Sequence, residues 1–426
     1  MTKDELWTLG IASIKGLESD RGILASARTE AYDCIFGRDS LITSLTLLNA
    51  YRKTGDAYFL ALVKKILLNL AALQGTEINT ESGEEPGKCI HEYRIEGHEH
   101  LTQQTHEPWY VYADGTMRNY DTVDATELFL IAIAAYLELA PLDPDAKRLV
   151  FAARGALRWV EQHGDSNGDG FIDYRFPPER IHGGLRVQSW MDSTESLFFE
   201  ASDERPAYPI APVEAQAYAY VALTEWARYF AQREPGYARA LRARAGSLKE
   251  AFNTRFVRAR GGGVSLAYAI DGNGRRLMSA RSSMAHVLWA VSLARGAPES
   301  ILNHEYIPGL VRRLLAPDLF VSSAGIRTLS ARSRRFSPAS YHNGSIWPHD
   351  TAIFAEGLEN FEYHAEAQLV VRSLVRSYGH FKTPIELFGY ARGFREYREP
   401  SGRGACQVQA WSAASMLSAA LALGPA

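Results

Sequence analysis

The chain has 426 residues, 46% of them hydrophobic and 11% aromatic, a length that predicts two domains or one large closed architecture. Its 46 basic and 49 acidic side chains leave a formal net charge of −3, which points away from nucleic acid and from an anionic membrane as partners. The N-terminus lacks the basic run and apolar core of a signal peptide, and no segment is long and charge-free enough to span a bilayer. The three cysteines, Cys34, Cys89 and Cys406, are sparse and odd in number, so the expectation is a cytoplasmic protein with reduced thiols.

In chain order, residues 4–16 predict a short amphipathic helix, and Ser40 to Tyr51 a mostly apolar one before Gly55-Asp56. Phe59, Leu62, Val63, Ile66, Leu70 and Leu73 then recur at three- and four-residue steps, with Gly75 as the stop. Residues 76–123 show little periodicity and are rich in polar and aromatic groups, among them Trp109, Tyr110 and Tyr112. A long stretch of this kind in a compact protein is usually functional.

Asp124 to Leu139 is apolar almost all round, the pattern of a helix buried on every side, and Pro141 ends it. Asp145 to Gln162 instead carries one stripe, Leu149, Ala153, Leu157 and Val160. The alternation repeats with Pro212 to Phe230 against Tyr237 to Phe256, then 281–295 with 299–315, then 345–360 with 363–378, and Gln407 to Leu423 closes the chain. The best strand candidate is Val264 to Ile270, before an Asp271-Gly272 turn. Roughly twelve helices in such pairs predict an all-α double ring, an (α/α)6 barrel forming a single domain over 1–426. The rival is an open α-solenoid, weakened by the lack of a fixed-period repeat.

Ser189-Trp190-Met191-Asp192-Ser193 places a carboxyl beside a Trp in a loop between helices. Apolar surroundings raise a carboxyl pKa, which suits a general acid; the bland alternative is a capping Asp before a short helix. A second carboxylate, Glu386 in Thr383-Pro384-Ile385-Glu386-Leu387-Phe388, makes the pair that glycoside hydrolysis requires. One group protonates the glycosidic oxygen, and the other activates water or attacks the sugar. Eight Trp, 21 Tyr and 18 Phe supply faces for sugar rings.

Phe36-Gly37-Arg38-Asp39-Ser40 sets an Arg and an Asp at a helix start, either to grip adjacent sugar hydroxyls or as a cap with a surface Arg. Tyr341 to Asp350 is the densest polar and aromatic stretch. His342, His349 and Asp350 match no standard zinc spacing, so lining a site is the expectation and no metal cofactor is assigned there. Asp165, Asn167, Asp169 and Asp173 fill positions 1, 3, 5 and 9 of a calcium loop with Gly170 at 6. Phe176 stands where the bidentate Glu belongs, and the alternative is an Asx-rich turn.

These stretches, in this order, together with Glu85-Pro86-Gly87-Lys88, His91-Glu92, Thr122 to Thr126, Pro209 to Gln216 and Gly325 to Thr328, resemble the amylo-α-1,6-glucosidase-like glycoside hydrolases, the catalytic module of glycogen-debranching-type proteins. The resemblance runs from about Tyr32 to Trp411. It implies an (α/α)6 barrel and an inverting α-glucosidase mechanism on a carbohydrate substrate, with Asp192 as general acid and Glu386 as general base. Its stretches supply the substrate-binding candidates Arg38, Asp39, Glu92, Asp124, Trp190, Glu214, Gln216, His342, Asn343, Trp347, His349, Asp350 and Trp411. Similar barrels serve trehalases and mannosylglycerate or glucosylglycerate hydrolases, so the fold does not fix the substrate.

Two departures stand out. Only about 30 residues precede Phe36, where debranching proteins usually carry a β-rich domain, which shifts the expectation to a small α-glycoside attacked from its non-reducing end. The base is preceded by Thr-Pro-Ile rather than Leu-Pro. The alternatives are a sugar epimerase using His342 and His349 on the same kind of barrel, a hydrolase of glucosylglycerate- or mannosylglycerate-type solutes, and a non-catalytic helical scaffold.

Overall fold

The structure is a computed structural model that describes residues 1–261, 263–292, 297–399 and 402–423. Its described helices are α1 (Lys3–Leu17), α2 (Gly37–Thr54), α3 (Ala57–Ala72), α4 (Glu99–Thr102), α5 (Ala125–Leu139), α6 (Ala146–Gln162) and α7 (Val213–Phe230). They continue with α8 (Pro235–Arg255), α9 (His286–Trp289), α10 (Ile307–Leu314), α11 (Pro348–Asn360), α12 (His364–Phe381) and α13 (Ala410–Ala422).

Packing sorts them into two layers. Helix α2 lies on α5, α5 on α7, α7 on α9, α9 on α11, α11 on α13, and α13 returns to α2, which closes a ring. Outside it, α1 packs on α13, α3 on α2 and α5, α6 on α5, α8 on α7, and α12 on α11 and α13. The sequence pattern explains the sorting. Leu128, Phe129, Leu130, Ile133, Tyr136 and Leu137 of α5 are all buried. In α3 only one stripe is buried, Phe59, Leu62, Val63, Ile66, Leu67 and Leu70. Each such side chain contributes about 1.5–3 kcal/mol on leaving water, so a helix with one stripe settles outside and one apolar all round settles inside.

Two predicted helices come out shorter. The span 281–295 holds a 3-10 turn, Ser282–Ala285, followed by α9, which stops at Trp289; residues 293–295 lie outside the described residues. The span 299–315 is helical only from His304, as a 3-10 turn that leads into α10. Pro308 at the start of α10 fits a helix beginning there rather than at 299, because proline has no N–H to give to a preceding turn.

The unperiodic stretch 76–123 is ordered by a small antiparallel sheet. Glu92–Arg94 pairs with Ile35–Phe36 on one side and Met117–Asn119 on the other. The predicted strand is also present, split into Gly263–Leu266, which forms a hairpin with Val257–Arg260, and Ala269–Ile270, which pairs with Ala211–Pro212. Gly37 opens α2 directly against Ile90, and a Cβ there would sit 2.0 Å from the Ile90 carbonyl oxygen. The Gly before Arg38 is therefore needed to bring the start of α2 this close to the sheet.

Candidate active site

The ring has a polarity. Arg38 and Asp39 lie in the first turn of α2, Asp124 caps α5, Glu214 is in the first turn of α7, His286 begins α9, Asp350 is in the first turn of α11, and Trp411 is in that of α13. The N-termini of the inner helices thus meet at one mouth, and their partial positive charge favours carboxylates there. The opposite mouth, lined among others by Asn49, Glu138, Trp289 and Asn360, holds a cavity of about 830 Å³. That cavity is far larger than the space of about 20 Å³ beside Met191 and Glu214, but it is lined by the C-terminal halves of the inner helices and by neither Asp192 nor Glu386. Chemistry, and not size, marks the functional mouth.

At the N-terminal mouth Arg38 is 2% exposed and is no surface residue. Its Nε donates to both carboxylate oxygens of Asp124, at 3.0 and 2.8 Å, and its Nη1 reaches Asp192 Oδ2 at 3.4 Å. Its Nη2 is buried without a hydrogen-bond partner in the protein. Asp124 also accepts from Thr122 Oγ1 at 2.8 Å. Glu386, 1% exposed, has both oxygens engaged: Tyr341 Oη donates to Oε1, and the Cys406 N–H donates to Oε2 at 2.8 Å.

Asp192 and Glu386 reach a common set of neighbours from separate parts of the chain. Asp39, Tyr32 and Tyr341 each feel the charge of both. The loops are also joined side to side, because the Ser193 N–H and hydroxyl meet His342 Nδ1 at 3.2 and 2.9 Å, one residue from Tyr341.

Burial raises every carboxyl at this mouth whose shift is resolved. It lifts Asp192 to about 6, against the opposing pull of Arg38, and Glu386 to about 7, against Tyr341 and Cys406. It lifts Asp39 to about 7 and Glu214 to about 8. For an acid at 192 and a base at 386 the order in the unliganded protein is the reverse of what the roles need. Hydrogen bonding and exposure argue the other way. Glu386 is fitted with two donors, which favour a carboxylate, and it is already dry. The Asp192 side chain keeps 24% exposure and one long contact, so a bound sugar would desolvate it further and raise it more.

The aromatic residues form one cluster. Trp190 stacks on His286, with centroids 5.8 Å apart, and meets His342, Trp347 and His349 edge-on. His349 stacks on Trp411 at 3.7 Å. His342 and His349 are held well below the usual histidine range, first by burial and then by Arg281 and Arg38 near His342 and by neighbouring imidazoles and Arg38 near His349, which favours the neutral form. The Trp190 indole N–H, His342 Nε2, both His349 nitrogens and Asp350 Oδ2 are buried without a protein partner. Buried polar atoms normally have partners, so this concentration of unsatisfied groups beside two carboxyls is the composition of a polar-ligand site.

Other candidates are committed elsewhere. Glu92 Oε1 accepts from Arg94 Nε at 2.5 Å and from the Cys34 thiol at 3.7 Å. The Gln216 amide is spent on the backbone of Ile172 and Pro212. Asn343 bridges Arg281 and the Glu195 carbonyl, and the Trp347 indole donates to Tyr341 O and Ser345 Oγ. Asp350 Oδ1 meets His286 Nε2 at 2.8 Å.

The 165–173 loop turns its carboxylates onto its own backbone: Asp165 accepts from Gly168, Asp169 and Gly170, Asn167 from Asp169, Asp169 from Phe171, and Asp173 from Ser166. That is the Asx-turn pattern. Among the described residues no group of three or more His, Cys, Asp or Glu side chains is arranged to hold a metal ion.

Sequence reasoning alone does not single out Tyr32, Tyr341, Arg281 or His286 as site residues. Tyr341 lies inside the polar and aromatic 341–350 stretch; the others carry no local signal.

The family match gives the class: the protein is an enzyme, a glycosidase. Residues 201–412 match the family model of the mannosylglycerate hydrolase MGH1-like glycoside hydrolase domain. Among solved structures the fold is similar to a protein described as a wild-type glycosidase, with TM-score 0.60, 12% identity, and coverage of 99% of this chain and 98% of that one. It is also similar to a GH63 mannosylglycerate hydrolase from Thermus thermophilus. The complex of that enzyme with glucose aligns with TM-score 0.61 and 15% identity, over 97% of this chain and 99% of that one. Its complex with Tris and D-glycerate aligns with TM-score 0.59 at the same identity and coverage. Identities this low establish likeness of fold. No curated protein sequence matches the chain.

Proposed function

We propose that the protein is an inverting glycoside hydrolase of small α-glycosides, built as one (α/α)6-barrel domain over residues 1–426. In this reading Asp192 gives its proton to the glycosidic oxygen as the bond to the anomeric carbon breaks. Glu386 takes a proton from a water that attacks that carbon from the opposite face, so the released sugar has inverted configuration. The observation that carries the reading is the paired tethering of the two carboxyls at one mouth, Asp192 by Arg38 and Glu386 by Tyr341 and Cys406, with a shared influence on Asp39. An inverting pair would stand about 6.5–9.5 Å apart.

Arg38, Asp39, Asp124, Trp190, Glu214, His349 and Trp411 would bind the sugar. The buried Arg38–Asp124 pair and the His349–Trp411 stack support a site closed at its base, hence attack on a terminal unit. Branched glucans, the substrate of amylo-α-1,6-glucosidases, are one candidate class. The family match favours the other, a glycerate-linked α-mannoside or α-glucoside. Neutral His342 and His349 do not favour an epimerase, which needs imidazoles that titrate near neutrality. Three free, buried cysteines support a cytoplasmic setting, and among the described residues no helix is long and apolar enough to cross a membrane.

The test is a panel of mannosylglycerate, glucosylglycerate, maltose, isomaltose and glycogen, followed by proton NMR of the released sugar. A β-anomer appearing first from an α-linked substrate is the expected result. Early α-anomer, or glycogen turned over faster than every small substrate, would overturn it.

A further inference from the structure

Arg281 is 1% exposed, and among the described residues no carboxylate lies within salt-bridge distance of it. Burying an unpaired guanidinium is costly unless its N–H groups are satisfied, so it is informative that Nε has no partner while Nη1 and Nη2 are both engaged. Its Nη1 donates to the His342 carbonyl at 2.9 Å and lies 3.4 Å from Met191 Sδ. Its Nη2 donates to the Ser196 carbonyl at 2.6 Å and to Asn343 Oδ1 at 2.9 Å. The rings of Tyr268 and Phe198 face it at 4.7 and 5.1 Å. One planar fork therefore holds two loops that are distant in sequence. The first, 191–196, carries Asp192. The second, 342–343, follows Tyr341, which donates to Glu386. Asn343 completes the joint by donating to the Glu195 carbonyl at 2.8 Å. Arg281 itself comes from a third place, the N-cap of the turn that leads into α9.

We infer that Arg281 is a positioning residue: through this joint it sets the distance between the proton donor on one loop and the water-activating carboxylate held by the other. The inference rests on the roles proposed above for Asp192 and Glu386. Inversion depends on that separation, because a water must fit on one side of the sugar while the acid reaches the leaving oxygen on the other. A displacement of about 1 Å costs on the order of 10²-fold in rate. Lysine keeps the charge but cannot make the fork, since a point ammonium does not donate along two parallel directions.

The experiment compares Arg281→Lys and Arg281→Met with Asp192→Asn, each on the best small substrate of the panel and on the matching 4-nitrophenyl α-glycoside, with thermal unfolding to establish folding. The expected result is a fall in kcat of about 10-fold for Arg281→Lys and about 10²-fold for Arg281→Met, with KM within about threefold of the parent. The fall should be several times smaller on the nitrophenyl glycoside, because a good leaving group does not need the displaced acid. A folded variant with parental kcat, or one with equal losses on both substrates, overturns the inference. If Arg281→Met does not fold, Arg281→Lys decides alone. Should Asp192→Asn retain full activity, the proposed function itself fails. Should Asp192→Asn be impaired and rescued by the nitrophenyl substrate while Arg281→Lys is not, only the role of Arg281 fails.

Discussion

Tyr341 donates its phenolic hydrogen to Glu386, and Tyr32 stands directly behind it, the two phenol oxygens 3.0 Å apart. Since the one Tyr341 proton is committed to the carboxylate, Tyr32 must donate to Tyr341. This relay, with the Cys406 N–H on the other oxygen, stabilises the charged form of a carboxylate that burial holds at about 7 even with these donors in place.

Tyr341→Phe should therefore raise the Glu386 pKa. A hydrogen bond to a charged group is worth about 1.5–3 kcal/mol, and one pKa unit is about 1.4 kcal/mol. If Glu386 acts as a base it must be ionised, so the acidic limb of the kcat profile, which reports the sugar-bound state in which Asp192 is raised further, should move up by about one to two pH units. A pH–rate profile with an unmoved acidic limb would refute the coupling.

Removing the carboxyls themselves separates their roles. Asp192→Asn and Glu386→Gln should each lower kcat by about 10²–10⁴-fold with the fold intact. An activated glycoside should partly rescue Asp192→Asn and leave Glu386→Gln inactive. Steady-state kinetics on an activated and an unactivated substrate check this, and equal losses on both would contradict the division.

Arg38→Met should be costly to stability as well as to activity. It leaves Asp124, with a fully buried side chain, without the cation that binds both its oxygens. Breaking one side of a buried pair costs about 3–5 kcal/mol. Urea unfolding of the variant should show a stability lower by that amount; a change under about 1 kcal/mol would mean that Asp124 is satisfied by other groups.

The pH dependence of stability follows from the same burial. The folded pKa values of Asp39, Asp173, Glu214 and Glu386 are raised to between about 7 and about 8, above an unfolded value near 4. Between those values the folded state binds more protons than the unfolded state, so these groups lower stability as pH rises. Buried His91, His342 and His349, lowered well below 6.5, act oppositely but only below about that pH. Above about pH 6.5 the raised carboxyls set the trend. Thermal unfolding temperatures should fall from about pH 6.5 to about 8.5, and Glu386→Gln should flatten part of the fall. A rising curve over this range would contradict the sign.

Which helices face inward and which outward is legible from the order of residues. The all-round apolar run of α5 and the single stripes of α3 and α6 state how much surface each must bury, and that is a local property of side chains. The loops that carry Asp192, Glu386 and the 341–350 cluster are legible too, because a Trp, a Pro or a His among helix-forming residues marks a place where the pattern breaks. The same reasoning overestimates the helices around 281–295 and 299–315, where apolar content without a firm period reads as helix.

How these loops meet is a matter of tertiary contacts. That Arg38 is buried on Asp124 and is no surface cap, that Gln216 and Asn343 are spent on backbone and neighbours, and that Tyr32 backs Tyr341 behind Glu386 all depend on contacts between residues up to 309 positions apart. The 165–173 loop closes in the same way: Asp165, Asn167 and Asp169 accept from N–H groups of their own loop, while Asp173 Oδ1 is buried without a partner. Arg281 is the clearest case. Nothing in Ala280-Arg281-Ser282 distinguishes it from a solvated arginine. Its place comes from tertiary packing, which sets it between the 191–196 loop that carries Asp192 and the 342–343 segment that follows Tyr341.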